Sequence, residues 1–221
     1  MIKYLYGKKE FLLPVFKGEC GPRFSNLGHY RTLENEKIRD EETKKSFSIE
    51  KNSVVIEING RKLNPETMTK DPILAVPSRN CYCLCLTSKK NDPEMYELFN
   101  ANFCLEVNVE NLVEFLEVIL LDANKTTQHE MFVKSQAIKY YEKYHSLTEY
   151  SLDEVVFYKP NRFSVEAEYR IAIFSNTENI PLKTEAGLFP FTPTEESQHI
   201  SFFNKQPPDF WRDIFIESYE K

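Results

Sequence analysis

The chain has 221 residues, with 28 Lys and Arg against 34 Asp and Glu for a formal net charge of -6, and is 41% hydrophobic and 14% aromatic. That acidity excludes a general attraction to a phosphate backbone or an anionic membrane, so nucleic acid is not an expected partner except as a reaction acceptor. The aromatic content excludes a disordered chain, and the length suffices for one proper core, expected as a single domain over 1–221.

In chain order, "KYLYG" reads as a short strand and "FLLPVF" as an apolar stretch interrupted by Pro14. The polar run that follows holds "RTLENEKIRDEETKK"; over Thr32 to Lys45 it reads as a solvated helix or a long functional loop, with Arg39 and Asp40 as substrate-facing or partner-facing candidates. "FSIEKNSVVIEI" alternates as two strands around Lys51-Asn52, and the proline-rich stretch after it reads as a loop or flap. "CYCLCLTS" is the expected central strand, nearly all apolar until Thr87 and Ser88. "NDPEMYELFN" predicts a helix capped by Asp92 with Pro93 in its first turn. "FCLEVNV" predicts a strand, and the next segment an amphipathic helix burying Leu112, Phe115, Leu116 and Ile119. "HEMFVKSQAIKYYEKYH" leans towards strand, and "VVFYKPNRFSVEAEYRIAIF" towards two strands around a Lys159-Pro160 turn. The tail offers a last strand and a short helix after Pro207-Pro208. The expected fold is therefore α+β, a mixed and mostly antiparallel sheet flanked by a few helices.

Cys81, Cys83 and Cys85 alternate, so they face one side of their strand as small hydrophobes, and reduced thiols fit a cytoplasmic location. The four histidines lack partners at metal-ligand spacing, so no metal site is expected. The N-terminus has no continuous apolar segment or cleavage site, and no stretch reaches membrane-spanning length. An unexported protein with no membrane partner is the expectation.

"RFSVEAEYRIAIF" carries the strongest chemical signal. On a strand, Glu166, Glu168 and Arg170 form one same-face row. Like charges at that spacing repel, so the row is either the wet face of a sheet or an enclosed functional pair.

Glu-x-Glu at a strand start, as in "NRFSVEAEYR", resembles the third signature of the ADP-ribosyltransferase superfamily, which splits the nicotinamide–ribose bond of NAD. "LCLTS", with Thr87 and Ser88, is similar to the second signature, although Lys89 stands where a second serine would be. Arg23 is the nearest fit to the early arginine of the first, with His29 and Arg31 as rivals. "YKPNRFSVEAEYR" also resembles uncharacterised bacterial proteins with a Lys-Pro turn before Glu-x-Glu-Tyr-Arg.

The resemblance implies NAD as substrate, Glu168 as the main catalytic carboxylate, Glu166 acting on the acceptor, and Ser88 or Thr87 positioning the ribose. It further implies Arg23 on the pyrophosphate, Tyr30 and Phe163 near the nicotinamide ring, and Arg31 and Arg170 among the NAD-binding residues. The implied activity is ADP-ribosyl transfer or NAD glycohydrolysis in a bacterial or phage toxin or defence setting. The alternatives are a non-catalytic host-interaction or defence-evasion protein with a protein partner, and a sensor of a nucleotide ligand on the same scaffold.

Overall fold

Alternating apolar residues build the central strands, and the breaks in that alternation decide where the site forms. The structure, a computed structural model, describes residues 1–32, 41–142, 152–177, 180–184, 187–192, 198–203 and 208–221. The chain begins with β1 (Ile2–Gly7), α1 (Lys9–Phe16), β2 (Arg23–Asn26) and a 3-10 turn (Leu27–Thr32). Next come β3 (Lys44–Ser48), β4 (Glu57–Ile58), β5 (Arg61–Lys62), β6 (Ile73–Pro77), β7 (Tyr82–Thr87), α2 (Pro93–Leu98), β8 (Phe103–Asn108) and α3 (Val109–Thr126). β9 (Met131–Ala137), β10 (Lys139–Tyr141), α4 (Leu152–Val155) and β11 (Tyr158–Pro160) lead to a 3-10 turn (Asn161–Glu166) and β12 (Glu168–Ser175). The remainder is β13 (Leu182–Thr184), β14 (Gly187–Phe189), β15 (His199–Ser201), α5 (Pro208–Arg212) and β16 (Phe215–Glu220).

The fold is α+β, built on an eight-stranded antiparallel sheet. One edge of β7 is paired along its whole length by β12, which in turn pairs β9. The other edge is shared. β2 pairs it at Tyr82 and Cys83, β1 pairs it at Thr87, and among the described residues Leu84, Cys85 and Leu86 have no strand partner there. The sheet therefore forks at β7, with β2 and β15 on one arm and β1, β8 and β16 on the other.

Strand alternation sorts the two faces. Tyr82, Leu84 and Leu86 of β7 and Tyr169, Ile171 and Ile173 of β12 join Leu112, Phe115, Leu116 and Trp211 in the larger core. Cys81, Cys83, Ala172 and Phe174 point the other way, onto Val156 and Phe157. Each fully buried large apolar side chain contributes about 1.5–3 kcal/mol, so the larger core supplies most of the stabilisation. All five cysteines are free, and the Cys81 and Cys83 sulfurs lie 3.3 Å apart on one face, as their alternation predicts. Asp92 caps α2 by accepting from the Glu94 amide.

Several elements differ from expectation. Of the two strands expected around Lys51-Asn52, the first ends at Ser48 and the second is reduced to Glu57–Ile58. Residues Ile73–Pro77, within the expected flap, form β6 against β3. The stretch before Lys159 is a helical turn, α4, followed by the short strand β11. After α5 the chain adds β16 on the β8 edge, because α5 turns Phe215 back into the core beside Trp211. Arg39 and Asp40 lie outside the described residues. The described end of that run is no solvated helix: Lys44–Ser48 is a strand whose alternation turns Lys45 and Phe47 inward, and Glu42 is buried with them. Among the described residues no helix is long and apolar enough to cross a membrane.

Candidate functional site

The row of Glu168 and Arg170 lies on the cysteine-bearing face of β12, opposite Thr87 and Cys85 of β7, and it is enclosed: Glu168 is 4% and Arg170 1% exposed. Glu166 is 3% exposed but reaches the same place by a different route. It ends the 3-10 turn, and Ala167 then adopts a left-handed conformation, with φ 44° and ψ 46°, before the strand begins at Glu168. The strict strand alternation expected for the two glutamates therefore starts two residues late, at Glu168.

Ala167 is held from three sides: its amide donates to the Ser164 carbonyl, its own carbonyl accepts from the Ser88 amide, and the Thr87 hydroxyl donates to the Glu166 carbonyl at 2.6 Å. A left-handed alanine costs roughly 1–2 kcal/mol, and glycine avoids that at an entropic cost of about 0.5–1 kcal/mol. Ala167→Gly is accordingly expected to raise stability by about 0.5–1 kcal/mol in chemical denaturation. A fall in stability would contradict this account of the turn.

Lys159, from β11, bridges the two carboxyls: its Nζ donates to Glu166 Oε2 at 2.7 Å and to Glu168 Oε2 at 3.0 Å. Arg170 Nε donates to Glu168 Oε1 at 2.8 Å, while its two terminal nitrogens grip Glu42 at 3.0 Å each. Lys45 Nζ donates to Glu42 Oε2 at 2.9 Å. The network thus alternates Glu166, Lys159, Glu168, Arg170, Glu42 and Lys45, three acids against three bases, all buried. Isolated charges in such surroundings are strongly unfavourable, and this alternation offsets the desolvation.

The two neighbouring carboxyls differ in their proton affinity. Burial raises Glu168, but Arg170 and Lys159 outweigh burial and hold it down at about 2. Burial also raises Glu166; Lys159 opposes this, the Glu168 charge adds to it, and the result is about 7. Glu166 Oε1 is buried and has no hydrogen-bond partner among the described residues. One carboxyl is thus fixed as an anion, and the other exchanges its proton near neutrality, the division needed for acid–base work.

The pair lines a cleft of about 220 Å³ that opens in the fork of the sheet. Tyr4 and Tyr6 of β1 with Phe99 form one wall, Arg23 and Tyr30 another, and Cys83 to Thr87 of β7 the floor. Successive residues of an antiparallel strand direct their backbone groups to alternate edges. The Cys81 carbonyl accepts from the Leu27 amide, and the Cys83 carbonyl from the Tyr30 hydroxyl at 3.3 Å, so the odd residues of β7 address this edge. The N–H and C=O of Cys85 therefore face the fork, with no strand paired to them among the described residues. Burial pushes the thiols of Cys83 and Cys85 up, so neither is a thiolate at neutral pH.

Of the residues singled out in the sequence, Glu166, Glu168, Arg170, Arg23, Tyr30 and Thr87 meet in this cleft. Ser88 does not line it: one step beyond Thr87 it turns to the opposite face, is exposed, and accepts from Lys3 Nζ at 2.7 Å. Phe163 is buried beneath Lys159 and Arg162, each 4.7 Å from its ring centre, and is likewise outside the lining. The side chain of Arg31 lies outside the described residues. Arg170 is turned wholly inward onto Glu168 and Glu42.

Sequence reasoning missed Lys159, Glu42 and Lys45. Lys159 follows an apolar run and could be read as a turn residue; for Lys45 the signal was its alternation with Phe47 in "KKSFS". Nothing in the acid-rich run marks Glu42 apart from its neighbours. Among the described residues no three His, Cys, Asp or Glu side chains gather as a metal site. No family model matches the chain, and neither a curated protein nor a solved structure matches it.

Proposed function

We propose that the forked cleft binds the nicotinamide–ribose part of NAD and that the protein catalyses ADP-ribosyl transfer or NAD glycohydrolysis. The observation that carries this reading is the meeting, in one cleft, of a permanently ionised Glu168, a Glu166 carboxyl poised near 7, and an open backbone donor–acceptor pair at Cys85. Pockets that enclose a drug-sized ligand typically span about 300–1,000 Å³, so a cleft of about 220 Å³ takes a ring and a sugar with the rest of the molecule outside. Arg23, exposed at the cleft wall, is the cation suited to the pyrophosphate.

In this reading the bond from ribose C1′ to the nicotinamide nitrogen breaks, its electron pair leaving with neutral nicotinamide. The oxocarbenium-like ribose is stabilised by the Glu168 carboxylate. The acceptor oxygen then bonds to C1′ and gives its proton to the Glu166 carboxylate. The aromatic wall supplies a stacking surface and excludes water.

Both oxygens of Glu168 are already engaged, by Arg170 and Lys159, and this favours a second reading in which the cleft binds a nucleotide without chemistry. Nicotinamide release from NAD separates the two. Release by the wild type that falls at least about a hundredfold in Glu168→Gln, with both proteins folded by thermal melting, supports the enzyme. A folded wild type that releases none sinks it.

A further inference from the structure

We propose that Lys159 is the positioning residue of this cleft: its ammonium clamps one oxygen of each glutamate and so leaves Glu166 Oε1, which has no hydrogen-bond partner among the described residues, as the remaining acceptor at the buried end of the cleft. The inference rests on the reading of the cleft given above. Glu166 stands at the end of a 3-10 turn, where no ladder fixes its side chain. What fixes it is Lys159, seven residues earlier and on a separate strand, with Nζ 2.7 Å from Oε2. The same nitrogen reaches Glu168 Oε2 at 3.0 Å, so a single ammonium, with three donors, sets the spacing of the two carboxyls.

Lys159 is itself well anchored. β11 runs parallel to β10 with Lys159 in register with Tyr140, whose hydroxyl accepts from the Glu168 amide at 2.8 Å. The ammonium also lies over the Phe163 ring, 4.7 Å from its centre, which excludes water from that side.

The charged and titratable groups that act on Glu166 are Lys159 from β11, Glu168 and Arg170 from β12, and Tyr140 from β10; Glu42 acts on Lys159 from the segment before β3. Of these, Lys159 has the largest influence that favours ionisation. Removing its charge while keeping its stem should therefore raise the proton affinity of Glu166, whereas a mere packing role would leave that affinity alone.

The test is a carboxyl-carbon NMR titration of ligand-free protein labelled at glutamate, with the Glu166 signal assigned by Glu166→Gln. In Lys159→Met the Glu166 midpoint is expected to move up by about one pH unit or more, a tenfold change in proton affinity, and in Lys159→Arg to stay within about half a unit. If Lys159→Met fails to fold, the charge-balanced Lys159→Met/Glu168→Gln double variant is compared with Glu168→Gln alone, and the same upward shift is expected. An unchanged midpoint in either comparison overturns the proposal. Because no NAD is present, its failure is distinct from failure of the enzyme reading. Where nicotinamide release is measurable, Lys159→Met should shift the pH profile of kcat upward with little change in KM.

Discussion

Arg170→Met is expected to destabilise the protein by about 3–5 kcal/mol, because it leaves Glu168 and Glu42 buried without their shared cation. For a chain of 221 residues this corresponds to a fall in Tm of about 10 °C. Methionine matches the stem of arginine in volume, so the loss isolates charge and hydrogen bonding from packing. Glu42→Gln in the same protein should recover part of the stability, since it removes one of the two anions that lost the guanidinium, and the two changes should be far from additive. Chemical denaturation of the single and double variants measures this. A cost below about 1 kcal/mol for Arg170→Met would mean that water reaches the network and that it is not enclosed. Glu168 also ties stability to acid: its depressed affinity contributes above about 4.5, and that contribution is lost as the pH falls through about 2.

Glu166→Gln is expected to act in the opposite sense. A carboxyl whose folded-state midpoint is raised, here to about 7 from an ordinary 4.5, favours the folded protein most at low pH. That contribution is lost as the pH rises from about 4.5 through about 7. The ceiling of the effect is on the order of 3 kcal/mol, and the lost charge-assisted bond to Lys159 reduces it. Glu166→Gln should thus be more stable than the wild type by about 1–3 kcal/mol at pH 8 and about equal to it at pH 4.5. Denaturation midpoints across that range decide the matter, and a variant less stable than the wild type at pH 8 would contradict it. A gain in stability with a loss of activity is the signature of a group retained for function rather than for folding.

The sheet was legible because its strands obey simple alternation. "CYCLCLTS" and "EYRIAIF" read as buried strands from their apolar runs, and they lie side by side at the centre. The Glu-x-Glu-x-Arg row was legible as a choice between a wet face and an enclosed pair, and burial settles it for enclosure. What sequence does not carry is the meeting of distant segments. Glu42 finds Arg170 across 128 residues, and nothing local distinguishes it from the acids around it. The fork escapes notice for the same reason: it depends on β1 and β2 both stopping short along one edge of β7, a matter of register rather than composition. The left-handed turn at Ala167 was hidden because alanine is not the residue that such a conformation favours.

The central claim is that the fork is a ligand cleft meeting the carboxyl pair, and the most direct measurement is an amide-resolved NMR titration of the 26.1 kDa protein with NAD, and separately with nicotinamide. Saturable shifts centred on the Cys85 amide and spreading to Tyr30, Thr87 and Glu166 are expected, with nicotinamide reproducing the subset nearest Cys85. Shifts confined to other surfaces, or none at millimolar ligand, would contradict it.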